Sequence, residues 1–168
     1  MNQAKIILTR IDNRLVHGQV GLTWTSSIGV DTIVVIDDEV ALDGMRQKLM
    51  VGVAHAANVK IRFYSVDNFV NAFNTTQSFQ KLFIVVETPQ VVRELVEKGI
   101  VLKDVNVGNL HYERGKVCIN RKAYVNEEDI ESLNYLLSKN INVYYQDVPG
   151  TAIDKISLLD YEALRKRR

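Results

Sequence analysis

The stretch Ile6-Ile7-Leu8-Thr9-Arg10-Ile11-Asp12-Asn13-Arg14-Leu15-Val16-His17-Gly18-Gln19-Val20 decides how this chain is read. Ile6 to Leu8 make the short apolar run of a buried strand, and Gln19 to Ser27 can form a short helix. A strand that passes through a charged loop into a helix is the opening unit of an α/β sheet. Between the two lie Arg10, Asp12, Arg14, His17, Gly18 and Gln19. An imidazole is a competent nucleophile, guanidinium forks match the oxygens of an anion, and the N–H groups at a helix start favour negative charge. The loop therefore suits a phosphoryl group carried covalently on His17.

Each of these residues also has a plainer reading. A histidine between strand and helix can be a hydrogen-bonded structural residue, the two arginines can be solvated surface charges, and Asp12 can pair with either. What favours chemistry is that a nucleophile, an orienting acceptor and several donors converge within one short loop.

Along the rest of the chain, β-branched runs alternate with helical spacing. Strands are predicted at Lys5 to Thr9, Thr32 to Ile36, Lys60 to Tyr64, Lys81 to Val86, Asp104 to Val107, Lys116 to Ile119 and Asn142 to Tyr145. Helices are predicted at Gly18 to Ser27, Glu39 to Ala57, Val66 to Phe73, Gln90 to Lys98 and Asn126 to Ser138. Pro89 and Gly99 bound the fourth helix, and Asn126 followed by acidic residues opens the fifth. The alternation predicts an open, mostly parallel twisted sheet of six or seven strands with helices on both faces. An antiparallel edge is expected around Asp104 to Val107 and Lys116 to Ile119, which are joined without a helix. Residues 1–168 read as a single domain, without repeat or linker.

Composition narrows the classes. The 168 residues are 46% hydrophobic, enough for a real core, and the formal net charge of +1 gives no field that would imply nucleic acid. The single cysteine, Cys118, is expected as a small buried hydrophobe in a reducing cytoplasm. No export signal or bilayer-length apolar run is evident, so a cytoplasmic protein able to dock on a membrane partner is expected. The basic end Arg165 to Arg168 reads as a solvated helix terminus. No Walker loop, dinucleotide fingerprint, hydrolase elbow or zinc spacing is present, so no cofactor and no metal are expected.

The run Arg10 to Val20 resembles the active-site loop of the enzyme IIB components of the mannose/fructose/sorbose family of the bacterial phosphoenolpyruvate-dependent sugar phosphotransferase system. The likeness extends through Val34 to Asp38, Val105 to His111 and Tyr144 to Pro149. Asn13 and Val16 stand where that loop often carries aspartate and isoleucine, and neither change removes a reactive group. The resemblance implies a phosphotransferase that takes a phosphoryl group from an enzyme IIA onto His17, at Nδ1, and passes it to a sugar through a membrane IIC/IID permease. The sugar is not readable from these residues.

On this reading Arg14 contacts phosphoryl oxygens, with Arg10 a second donor or a charge facing the partner. Asp12 positions Arg14 or the imidazole, Gly18 lets the backbone approach, and Gln19 completes the cradle. Ligands of such sheets gather where the strand order reverses, so Asp37, Asp38 and His111 are candidate neighbours of His17. Asp37 and Asp38 read more readily as a helix-capping turn than as site residues, His111 more readily as a loop residue, and His55 as packing or surface. The exposed edges of an open sheet need cover, which points to a homodimer. Two alternatives stand beside the carrier: a receiver-like regulatory domain phosphorylated on Asp37 or Asp38, and a non-catalytic anion-binding module.

Overall fold

The computed structural model describes residues 3–18 and 20–167. The chain runs β1 (Lys5–Ile11), a wide helical turn (Val20–Trp24), α1 (Thr25–Ile28), β2 (Thr32–Ile36), a 3₁₀ turn (Val40–Leu42) and α2 (Gly44–Ala56). It continues through β3 (Lys60–Tyr64), α3 (Val66–Thr75), β4 (Lys81–Val86), α4 (Pro89–Glu97), β5 (Asp104–Val107), β6 (Val117–Asn120) and β7 (Ala123–Val125). It ends with α5 (Glu127–Ser138), β8 (Asn142–Tyr145), β9 (Asp154–Lys155) and α6 (Tyr161–Arg165).

Seven strands form one sheet in the order β3-β2-β4-β1-β5-β8-β9. Every neighbouring pair is parallel except β8 and β9. All of β2, and β4 from Leu82 onward, are buried, as befits parallel strands covered on both faces. The pleat splits these runs between two cores. Ile33, Val35, Phe83 and Val85 face Met50 and Ala54 of α2, together with Val20 and Trp24. Val34, Ile36, Ile84 and Val86 face Phe69 of α3, Leu95 of α4 and Leu133 of α5.

The predicted antiparallel edge exists but lies elsewhere. β5 is an interior parallel strand between β1 and β8, β6 pairs with β7 in a separate hairpin, and the antiparallel edge is β9. With two, three and five residues, β9, β7 and α6 are too short to leave a periodic signature. The helix predicted from Glu39 is broken at Asp43, whose carboxylate accepts the amides of Met45 and Arg46 at 3.1 Å and starts α2 afresh. Cys118 corrects the expectation of burial: in the two-stranded hairpin Val117 turns inward, so Cys118 turns outward and is exposed. His55 is exposed on α2.

The helix after His17 opens with a wide π turn. There the hydroxyl of Thr25 donates to the Gly21 carbonyl and that of Ser26 to the Leu22 carbonyl at 2.9 Å, a local competition that loosens the ladder. Gly21 is where this turn meets α2, because a Cβ there would overlap Cγ1 of Val53. Gly21→Ala is expected to lower stability by about 1–3 kcal/mol. Combining it with Val53→Ala should return part of that loss, as measured by paired denaturant melts.

Candidate active site

Chain connections leave β1 and β5 in opposite directions, toward β2 and β8 respectively, so a crevice opens beyond their carboxyl ends. The ladder runs on into the loops that close it. Asp12 N–H donates to the Val86 carbonyl at 2.9 Å, Gly108 N–H to that of Ile11 at 2.8 Å, and Asn13 N–H to that of Asn109 at 2.9 Å. The loop after β1 then turns tightly. The Asp12 carbonyl accepts Leu15 N–H at 2.8 Å, while Asp12 Oδ1 accepts Arg14 N–H at 3.1 Å.

That turn puts Leu15 in the left-handed region, with φ of 55°. For a leucine this costs about 1–2 kcal/mol, which burying the side chain offsets by a similar or larger amount. Leu15 is 1% exposed and Val16 5%, and both join the α2-side core. The two anchors draw the loop inward on either side of its polar groups, leaving the His17 side chain 25% exposed.

Asp12 is the centre of the site. Its side chain is fully buried, and its carboxylate meets Arg10 Nη2 at 3.1 Å, Arg14 Nε at 3.4 Å and His17 Nε2 at 3.3 Å. Burial alone would push its pKa up. The hydrogen bond from His17, the charge of Arg10 and the amide of Arg14 outweigh that and hold it below the ordinary aspartate value. Burial pulls the Arg10 guanidinium down from its usual value, opposed chiefly by Asp12, and guanidinium stays charged throughout.

The loop thus brings Asp12, Arg14 and His17 together, with Asp12 within reach of both groups it was expected to orient. Arg10 is a correction. It was expected as a second phosphate donor or a charge facing a partner, yet it is 1% exposed and directed inward. Its Nη1 donates to Asn106 Oδ1 at 2.5 Å and to the Gln146 carbonyl at 3.0 Å, and its Cζ lies 5.1 Å from the centre of the Trp24 ring. Arg10 lies on the same side of β1 as Leu8, inside the layer between sheet and helices, so its charge is spent on Asp12. Arg14, 41% exposed, is the cation open to an incoming anion.

Gly18 is exposed, and a Cβ there would meet no atom within 4 Å, so nothing in the chain itself crowds this position. Gln19 lies outside the described residues. Asp37 and Asp38 act as caps: Asp37 Oδ1 accepts the amides of Glu39 and Val40 at 3.0 and 2.9 Å, and Asp38 Oδ1 accepts Val66 N–H at 3.0 Å. The His111 ring meets the Asn109 side chain at 3.1 Å rather than His17. Asn109 Nδ2 in turn donates to Asn13 Oδ1 at 2.9 Å. The His111 ring is therefore linked to the loop through Asn109.

Sequence reasoning missed Trp24, Asn106, Gly108 and Gln146. A signal existed at Asn106, a lone amide between valines in a buried strand, since a buried polar group must find partners.

A family model described as "PTS system sorbose subfamily IIB component" matches residues 6–167. The chain belongs to that family, the sorbose-type IIB components of the phosphotransferase system. It is 49% identical over 156 residues to the N-acetylgalactosamine-specific phosphotransferase enzyme IIB component 1 of Escherichia coli K12, covering 93% of this chain and 99% of that one. The crystal structure of the E. coli N-acetylgalactosamine-specific IIB component 1 superposes with a TM-score of 0.88 at 49% identity, covering 91% of this chain and all of that chain. The E. coli K12 mannose-specific EIIAB component is 32% identical over 154 residues, which is 91% of this chain and 47% of that protein.

Two carboxylates at this edge should titrate with opposite signs. Asp12 binds its proton more weakly in the native state, so its contribution is complete above the ordinary aspartate value of 3.8 and is lost as pH falls through the lower native value. Asp12→Asn is expected to cost about 3–5 kcal/mol at neutral pH, because it strands a buried guanidinium, and the deficit should shrink in acid. Glu87, which follows β4, is raised above 4.5 by burial and then by the charge of Asp37 beside it. Its native state binds the proton more tightly, so stability falls as pH rises from 4.5 through the native value. Glu87→Gln should therefore raise Tm at neutral pH and lose that advantage below about pH 4.5, read from melts across pH.

Proposed function

We propose that this chain is a phosphocarrier of a sugar-transporting phosphotransferase system, taking a phosphoryl group from a phosphorylated enzyme IIA onto His17 and passing it to a sugar through membrane IIC/IID components. The observation that carries the reading is the division of the imidazole between a buried carboxylate at Nε2 and partial solvent exposure of the ring. With Nε2–H donating to Asp12, the lone pair lies on Nδ1, which is the nucleophile.

In the transfer, the Nδ1–P bond forms as the donor's N–P bond breaks, and that electron pair returns to the donor imidazole. The His17 ring keeps its Nε2 proton and gains positive charge, which the ionised Asp12 faces directly. Arg14 neutralises the phosphoryl oxygens, since this transition state asks mainly for alignment and charge compensation. In the second transfer the sugar oxygen forms its bond to phosphorus as the Nδ1–P bond breaks, that electron pair returns to Nδ1, and the hydroxyl proton leaves to solvent, so the sugar departs as a phosphate ester. The capped carboxylates of Asp37 and Asp38 give the receiver alternative no comparable support.

Among the described residues, no helix is long and apolar enough to cross a membrane. We place the protein in the cytoplasm, peripherally attached to its permease. The N-acetylgalactosamine-specific relative is more similar than the mannose-specific one, at 49% against 32% identity, which favours an N-acetylhexosamine as final acceptor.

Incubation with phosphorylated IIA should label the wild-type chain with an acid-labile, alkali-stable phosphohistidine that maps to the His17 peptide. His17→Ala should take no label, and Arg14→Ala should slow labelling by roughly 10²-fold. Label persisting in His17→Ala, or appearing on an aspartate, would overturn the assignment.

A further inference from the structure

Asn106 is the cross-strand partner of Arg10 in the β1–β5 register. It is wholly buried between Val105 and Val107, both core residues. Its Oδ1 accepts from Arg10 Nη1 at 2.5 Å, and its Nδ2 donates to the Gln146 carbonyl at 3.3 Å, the same carbonyl that accepts Arg10 Nη1 at 3.0 Å. Trp24 covers the guanidinium 5.1 Å from its ring centre and is itself fixed by donating Nε1–H to the Asp147 carbonyl at 3.3 Å. Gly108 completes the enclosure, because a Cβ there would overlap Cζ and Nη2 of Arg10. With those directions closed, the outward hydrogen bond of the guanidinium is Nη2 to Asp12 Oδ2.

Asp12 Oδ2 also meets His17 Nε2. Arg14 fixes the carboxylate at Oδ1, while the oxygen that meets the imidazole, Oδ2, is set by Arg10, whose Nη1 is held by Asn106 and the Gln146 carbonyl. The residue type fits this task. An apolar side chain would leave Nη1 with only the Gln146 carbonyl, whereas a second carboxylate would compete with Asp12 for the guanidinium. A neutral amide accepts from Arg10 without drawing its charge away.

We propose that Asn106 is a positioning residue for His17: acting through Arg10, it sets the carboxylate that holds Nε2 and so determines that Nδ1 is the nitrogen that carries phosphorus. The inference rests on His17 being the phosphoryl carrier and adds what selects the nitrogen.

The test uses the full chain with ¹⁵N-labelled histidine and phosphorylated IIA as donor, comparing wild type with Asn106→Leu, Asn106→Asp and Gly108→Ala. Ring ¹⁵N shifts report the tautomer, and ³¹P–¹⁵N coupling reports the phosphorylated nitrogen. Wild type should show the Nε2–H tautomer and phosphate on Nδ1 alone. Each variant should show mixed tautomers, both phosphohistidine isomers, and transfer slowed roughly 10-fold or more. Asn106→Asp separates positioning from packing, since it keeps the acceptor oxygen and the volume but competes for Arg10.

Variants that fold, and are slower or less stable, yet keep a pure Nε2–H tautomer and phosphorylate only at Nδ1 would overturn the proposal while leaving the carrier reading intact. An unlabelled His17 in the wild type would instead overturn the carrier reading. Should the variants fail to fold, the wild type still decides. The Asn106 side-chain amide resonances should shift in step with protonation of the His17 ring, and resonances that stay flat across that titration would sink the relay.

Discussion

Everything at the carboxyl edge of the sheet depends on one fully buried carboxylate that is kept ionised. An isolated carboxylate out of water costs several kcal/mol, so Asp12 is tolerable only because Arg10, Arg14 and His17 all turn toward it. Those three groups come from one strand end and the loop that follows. The loop's turn is itself closed by Asp12, through its carbonyl to Leu15 and its Oδ1 to Arg14. One residue therefore shapes the loop, neutralises a buried cation and holds the imidazole.

The neighbouring strand end shows what happens where neutralisation is incomplete. Glu87 follows the strand whose last carbonyl accepts Asp12 N–H, and it sits beside Asp37 with Arg46 at 3.9 Å as its cationic neighbour. Asp37 is committed to the amides that start the next turn. Burial first, and then the charge of Asp37, make Glu87 hold its proton more tightly. Within one edge, the same functional group is stabilised as an anion at one strand end and opposed at the next.

The fold was legible because the central parallel strands, buried on both faces, are written as continuous apolar runs such as Thr32 to Ile36 and Leu82 to Val86, and because strand-like runs alternate with helical spacing. Thr32 to Ile36, Lys60 to Tyr64, Lys81 to Val86, Asp104 to Val107 and Asn142 to Tyr145 all match the observed strands residue for residue. The convergence of Asp12, Arg14 and His17 was legible because these groups are adjacent in sequence. What stayed hidden was long-range. Arg10 looks like any loop arginine until Asn106, Gly108, Trp24 and Gln146 close around it, and these come from different elements. Asp37 and Asp38 read first as a capping turn and second as site residues, and the backbone amides that reach them bear out the capping turn.

Because β1 is the first strand and runs toward His17, its amino end lies on the far rim of the sheet. Seven residues at about 3.3 Å each separate the two rims by roughly 20 Å. Any module fused ahead of Lys5 would begin on the rim opposite His17, and about six extended residues of spacer would be needed for the spacer alone to span the two rims. Spacer length, more than spacer composition, would govern whether a covalently joined donor can reach the imidazole.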